Sequence, residues 1–99
     1  MLPGGLLADI ENYLDITWTD EATDKKITGI AERGIMFLDK KAGVILDYTQ
    51  EAIHRDLLFE YCKYTRNGLL HEFIINYTPF LEDLRAGNGG AYGEETTTV

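Results

Sequence analysis

Apolar residues recur at helical spacing along most of the chain. Leu6, Leu7, Ile10, Tyr13 and Leu14 share one face at about 3.6 residues per turn, which predicts a first helix at 6–14. Pro3-Gly4-Gly5 ahead of it opposes regular structure. Ile16 and Trp18 then alternate, as in an extended link that turns both side chains inward. A longer stripe follows: Ile27, Ile30, Ala31, Gly34, Ile35, Leu38 and Ala42. Thr19 or Asp20 is placed to cap this helix, Asp20, Glu21 and Asp24 crowd its start, Lys40 and Lys41 its end, and Gly43 follows. That distribution suits the helix dipole and a left-handed C-cap. Gly29 and Gly34 each cost about 1 kcal/mol against Ala in a helix interior. Gly34 lies within the stripe and is expected to admit a neighbouring helix. Gly29 lies on the opposite face and has no such reason.

Val44-Ile45-Leu46 is a short apolar link. Thr49 is then expected to cap a third helix at 50–67, with Ile53, Leu57, Leu58, Tyr61, Cys62, Tyr64 and Thr65 inward. So broad a face predicts a central position. A fourth run carries Leu70, Phe73, Ile74, Tyr77, Leu81 and Leu84, interrupted by Pro79. Thr78-Pro79 also reads as an N-cap followed by Pro at the first helical position. Two coaxial pieces, or one helix kinked near 76–78, are expected. Gly87-Asn88-Gly89-Gly90 ends the pattern, and 91–99 are polar without periodicity. The predicted fold is all-α: a small bundle of four main helices over 6–86, with a kink or break near Pro79 and a flexible C-terminal tail over 87–99.

Charge narrows the function. With 17 acidic against 9 basic residues the chain carries −8, opposite to the clustered Lys and Arg that track phosphates. A helix-turn-helix reader fares no better, because the exposed face of the third helix mixes Arg55, Asp56, Glu60 and Lys63. Hydrophobic content of 44% exceeds that of a disordered acidic chain. One cysteine forms no internal disulfide. There is no apolar run of membrane-spanning length, and Met1-Leu2-Pro3-Gly4-Gly5 has no basic region of a signal peptide. A soluble protein of a reducing compartment is expected.

Catalytic signals are sparse. Cys62 and His54 are eight residues apart on one helix, about 12 Å along its axis, too far for a nucleophile and its base. Cys62 reads as a buried thiol, and His54 as a partly buried side chain bonded to backbone or carboxylate. His71-Glu72 lacks the second His of a zinc motif. The carboxylates are spread over helix starts and solvent faces, with no pair marked for acid–base work. The glycine-rich 87–90 stretch has neither a preceding strand nor a following Lys-Ser/Thr, so it is no phosphate loop. No catalytic, cofactor or metal residues are assigned, and enzymatic activity is not expected.

Apolar residues off their stripes are more informative. Met36 lies opposite Ile27, Phe59 opposite Leu57 and Tyr61, and Ile75 off the Leu70–Ile74 stripe. Single exposed apolar residues are ordinary. Three on three helices, with Tyr92 in the tail, fit a subunit that packs against copies of itself, so Met36, Phe59, Ile75 and Tyr92 are the candidate interface residues.

The order of features carries a resemblance. Leu-Leu-Ala-Asp-Ile-Glu-Asn-Tyr-Leu (6–14) precedes Ile-Thr-Trp-Thr-Asp-Glu-Ala-Thr-Asp (16–24), Ile-Ala-Glu-Arg-Gly (30–34), Phe-Leu-Asp (37–39), Ala-Gly (42–43) and Leu-Phe-Glu-Tyr-Cys-Lys-Tyr (58–64). Over residues 6–86 this series resembles the small head–tail connector proteins (head-completion or DNA-packaging adaptors) of tailed bacteriophages and prophages. The resemblance implies a virion protein at the head–tail junction, made in the host bacterial cytoplasm. It implies self-association into a ring below the portal protein, extension of the DNA channel without sequence-specific binding, and docking of neck or tail completion proteins. It brings no catalytic residues and no cofactor. The C-terminal segment, here 87–99, would reach the portal or a neighbouring subunit, although its Gly-rich start and Thr-rich end do not match the family pattern. The alternative expectation is a small acidic cytoplasmic module or regulator that masks a basic partner, which net charge supports equally well.

Overall fold

Four helices, α1 (Leu6–Tyr13), α2 (Glu21–Ala42), α3 (Ile53–Arg66) and α4 (Leu70–Gly87), follow one another in a computed structural model that describes residues 2–87. No strand occurs among the described residues, so the all-α expectation holds. The tail beyond 87 lies outside them. None of these helices is long and apolar enough to cross a membrane.

The charge pattern of α2 sets its ends. Asp20 is the N-cap: its carboxylate accepts from the Thr23 amide at 3.1 Å and the Thr23 hydroxyl at 2.6 Å. Those bonds hold its carboxyl below the usual carboxylate range. Gly43 closes the helix in the left-handed region at φ 81°, its amide donating to the Asp39 carbonyl at 2.8 Å. Gly34 lies at the contact of α2 with α3. A Cβ there would sit 2.7 Å from Tyr61 Cδ1 and 2.8 Å from Leu58 Cδ1. The helices therefore meet closely because this position has no side chain.

The core is aromatic at its centre. Phe73, fully buried, has the Phe37, Tyr61, Tyr64 and Tyr77 rings at 6.5, 5.7, 5.9 and 5.1 Å between centroids, so α2, α3 and α4 meet on it. α1 adds Leu6 and Ile10, both buried. It is also pinned by polar bonds to α3: Arg55 Nη2 donates to Asp9 Oδ2 at 2.6 Å, and the Tyr13 hydroxyl donates to Glu60. Tyr77 of α4 donates to the same Glu60 carboxylate at 3.1 Å, so one side chain links three helices.

Two local expectations are corrected, and a third is decided between its alternatives. α3 begins at Ile53, not 50. Thr49 does not cap it; its amide and hydroxyl both donate to Asp47 Oδ1, at 2.9 and 2.5 Å, in a local turn. In the α1–α2 link Ile16 is buried, but Trp18 is 50% exposed. Asp15 at φ 62° turns the chain back, and the indole lies against the start of α2 with Nε1 donating to Thr23 Oγ1 at 3.4 Å. Finally, of the two alternatives for α4, two pieces or one helix, the structure has one helix, which continues through Pro79. Thr78 does not cap a new helix; its hydroxyl donates back to the Ile74 carbonyl at 2.6 Å. A helix-interior Pro costs about 3 kcal/mol or more. Keeping Leu81 and Leu84 in phase with Phe73 buries both, at about 1.5–3 kcal/mol each, which offsets that cost.

Candidate interaction surface

Met36 of α2 is 70% exposed and Ile75 of α4 is 56% exposed. Both stand outward, where the off-stripe positions predicted. Phe59 does not. It is buried, with Tyr13 of α1 against its ring at 5.3 Å and the Arg55 guanidinium over its face at 4.7 Å. The outer side of α3 is covered by α1, a neighbour that the wheel of α3 alone cannot reveal. Phe59 is therefore a packing residue within the subunit. Tyr92 lies outside the described residues.

The most exposed apolar side chain among the described residues is Ile45, at 91%, beside Val44. The sequence reading passed over it as part of a link. Its signal was an apolar pair directly after the helix-ending Gly43, outside any stripe. This loop is tied down: Asp39 Oδ1 accepts from the Leu46 amide at 3.2 Å and the Tyr48 hydroxyl at 2.7 Å. His54 Nε2 donates to the Asp47 carbonyl at 2.6 Å, and Arg55 Nε to the Tyr48 carbonyl at 3.1 Å. Burial and the Asp39 carboxylate push the Tyr48 phenol well above its ordinary range, so it stays a hydrogen-bond donor. His54 thus bonds to backbone, as expected for a partly buried His.

Cys62 is fully buried, and burial pushes its thiol up to about 12. It is no nucleophile at neutral pH. Among the described residues no three His, Cys, Asp or Glu side chains are grouped to hold a metal. Two shallow depressions of about 310 Å³ each flank α1. Arg55, on the wall of the first, is already paired with Asp9. One pairing escaped the sequence altogether: Glu11 of α1 meets Asp24 of α2. Burial, then the hydrogen bond and charge of Asp24, push the Glu11 carboxyl up to about 7. The two lie on separate helices, 13 positions apart in the chain, and only their docking brings them together. The pair joins α1 to α2 through a carboxyl that holds its proton well above the usual carboxylate range.

Comparisons with protein-family models, with characterised proteins and with solved structures gave no match. The described surface presents exposed apolar side chains on helices and on a tied loop, in a strongly acidic chain.

Proposed function

We propose that this chain is a structural virion protein, a head–tail connector subunit that forms a ring below the portal, extends the DNA channel and docks neck or tail components. The observation that carries the reading is the ordered series of segments over residues 6–64, which resembles those connectors. An all-helical 6–86 unit agrees with it, and so do Met36 and Ile75 standing exposed on two different helices. At −8 per subunit, a ring presents a negative wall that repels passing DNA and keeps it from sticking. Heterologous contacts around a cyclic axis close such a ring.

The test is co-expression with the portal protein of the phage or prophage that encodes it, followed by purification on a tagged portal and electron microscopy. The expected result is a ring of this chain beneath the portal. A chain truncated after Gly87 is expected to remain helical and to bind the portal more weakly. Absence of the chain from purified portal, with a basic cytoplasmic protein captured in its place, would favour the acidic-module alternative.

A further inference from the structure

The chain has four asparagines, and two of them precede glycine: Asn67-Gly68 and Asn88-Gly89. The second pair lies outside the described residues. In an Asn-Gly pair the following nitrogen belongs to a residue without a Cβ, so it reaches the Asn side-chain carbon with the least hindrance. Asn12 and Asn76 each precede a tyrosine. Asn67 and Gly68 form the corner between α3 and α4, and both are exposed to water. Asn67 is the C-cap of α3, and Gly68 follows in the left-handed region at φ 73°. The corner is a Schellman turn: the Leu69 amide donates to the Tyr64 carbonyl at 2.7 Å, and the Gly68 amide to the Thr65 carbonyl at 3.0 Å. The Asn67 side chain folds back too, with Nδ2 donating to the Lys63 carbonyl at 2.9 Å. Nitrogen and side-chain amide are thus each held by a carbonyl of the last turn. Ring closure between them needs the Gly68 nitrogen on the Cβ side of the Asn67 Cα–C bond. The Asn67 ψ of 8° sets it beside the Asn67 nitrogen instead. Tyr64, whose carbonyl accepts from Leu69, packs its ring on Phe73 and Tyr77 at 5.9 and 6.0 Å between centroids. The turn is therefore tied to the α3–α4 interface.

We propose that Asn67 is a modification site, converting spontaneously to aspartate and isoaspartate, and that the α3–α4 corner is its gate. When the corner opens, the Gly68 amide leaves the Thr65 carbonyl and the Asn67 ψ rotates. The Gly68 nitrogen then bonds to Asn67 Cγ. The Cγ–Nδ2 bond breaks, and the side-chain nitrogen departs as ammonia with the proton that Gly68 gives up, leaving a cyclic imide. Solvent water opens the imide. Attack at Cγ yields aspartate, and attack at the Asn67 main-chain carbonyl yields isoaspartate. Water is the sole co-reactant. Either product adds one negative charge to the chain. Isoaspartate also inserts a methylene into the main chain at the C-cap, between the residues that hold the Schellman bonds, so closing the corner does not restore the original turn. Each conversion is thus a lasting record of an opening. The inference concerns the folded chain itself and does not rest on the connector reading.

The test incubates the full chain at mildly alkaline pH, folded and in concentrated urea, and follows Asn67 by tandem mass spectrometry of tryptic peptides. Cleavage after Arg66 and Arg85 puts Asn67 and Asn88 on separate peptides. Protection of the Gly68 amide is measured by hydrogen exchange in the same folded sample. Conversion at Asn67 is expected to be about tenfold or more slower in the folded chain than in urea, because opening the corner costs free energy. The slowing should match the protection of the Gly68 amide to within about fivefold, since both wait for that hydrogen to leave Thr65. Asn67→Gln, whose side chain is one methylene longer and closes the smaller ring no more, is expected to give no product at that position. Conversion as fast folded as in urea, none in urea, or a slowing that departs from the amide protection by more than that factor overturns the inference. So does an Asn67→Gln protein that converts at the wild-type rate.

Discussion

Two glycines on one helix are expected to respond to the same substitution with opposite signs. At Gly29 an added Cβ meets only the end of the flexible Arg33 side chain, at 3.5 Å. Gly29→Ala therefore gains helix propensity, about 0.5–1 kcal/mol. At Gly34 the same atom would lie 2.7 Å from Tyr61 Cδ1 and 2.8 Å from Leu58 Cδ1, and ordinary carbon contacts need about 3.5–4 Å. Leu58 is fully buried and Tyr61 nearly so, so neither moves without disturbing close-packed neighbours. Overpacking of this kind costs about 1–3 kcal/mol, of which the propensity gain returns at most about 1. The net expectation for Gly34→Ala is a loss of up to about 2 kcal/mol. In a domain of this size each kcal/mol moves Tm by about 4–8 °C. Thermal melts followed at the helical circular dichroism band, at low protein concentration and high salt, read both effects on monomer. A Gly34→Ala protein that melts above wild type would refute the close α2–α3 contact, and a destabilised Gly29→Ala protein would refute the assignment of that position to an open face.

Phe59→Ala is expected to lose about 3–5 kcal/mol, as a buried aromatic does, whereas Met36→Ala and Ile75→Ala should stay within about 0.5 kcal/mol of wild type; urea titration separates the two classes. Asp39→Ala leaves the buried Tyr48 hydroxyl and the Leu46 amide without their acceptor, an expected loss of about 2–3 kcal/mol, with faster hydrogen exchange in the 43–52 loop as its signature. Glu11 has its folded-state pKa raised from 4.5 to about 7. The folded chain holds the proton more tightly, so this contribution is fully present below about pH 4.5 and is lost as pH rises through 7. Glu11→Gln should therefore gain in Tm relative to wild type at pH 8 and lose that advantage at pH 5; a constant difference between the two melts would count against the carboxyl pair.

Helix content and the inward faces were legible in the sequence because both are local. The stripe from Ile27 to Ala42, the Asp20 cap and the Gly43 stop depend on neighbours within about one turn, and the structure has all of them. Even Gly34 announced itself, since a glycine inside an apolar stripe leaves space that a helix can enter. Other features depended on which helix lies over which. The partner of Phe59 is α1, the partner of Glu11 is Asp24, and the exposure of Trp18 follows from a left-handed turn at Asp15. The continuity of α4 through Pro79 was likewise a tertiary outcome: local preference allowed a break, and burial of Leu81 and Leu84 favoured one phase. Four helices, their buried faces and a net charge of −8 follow from local patterning and composition alone. Tertiary structure decided which outward residues remain outward, because exposure is a property of the neighbours that a residue acquires. It thereby left Met36 of α2 and Ile75 of α4 outward, on surfaces that none of the described helices covers.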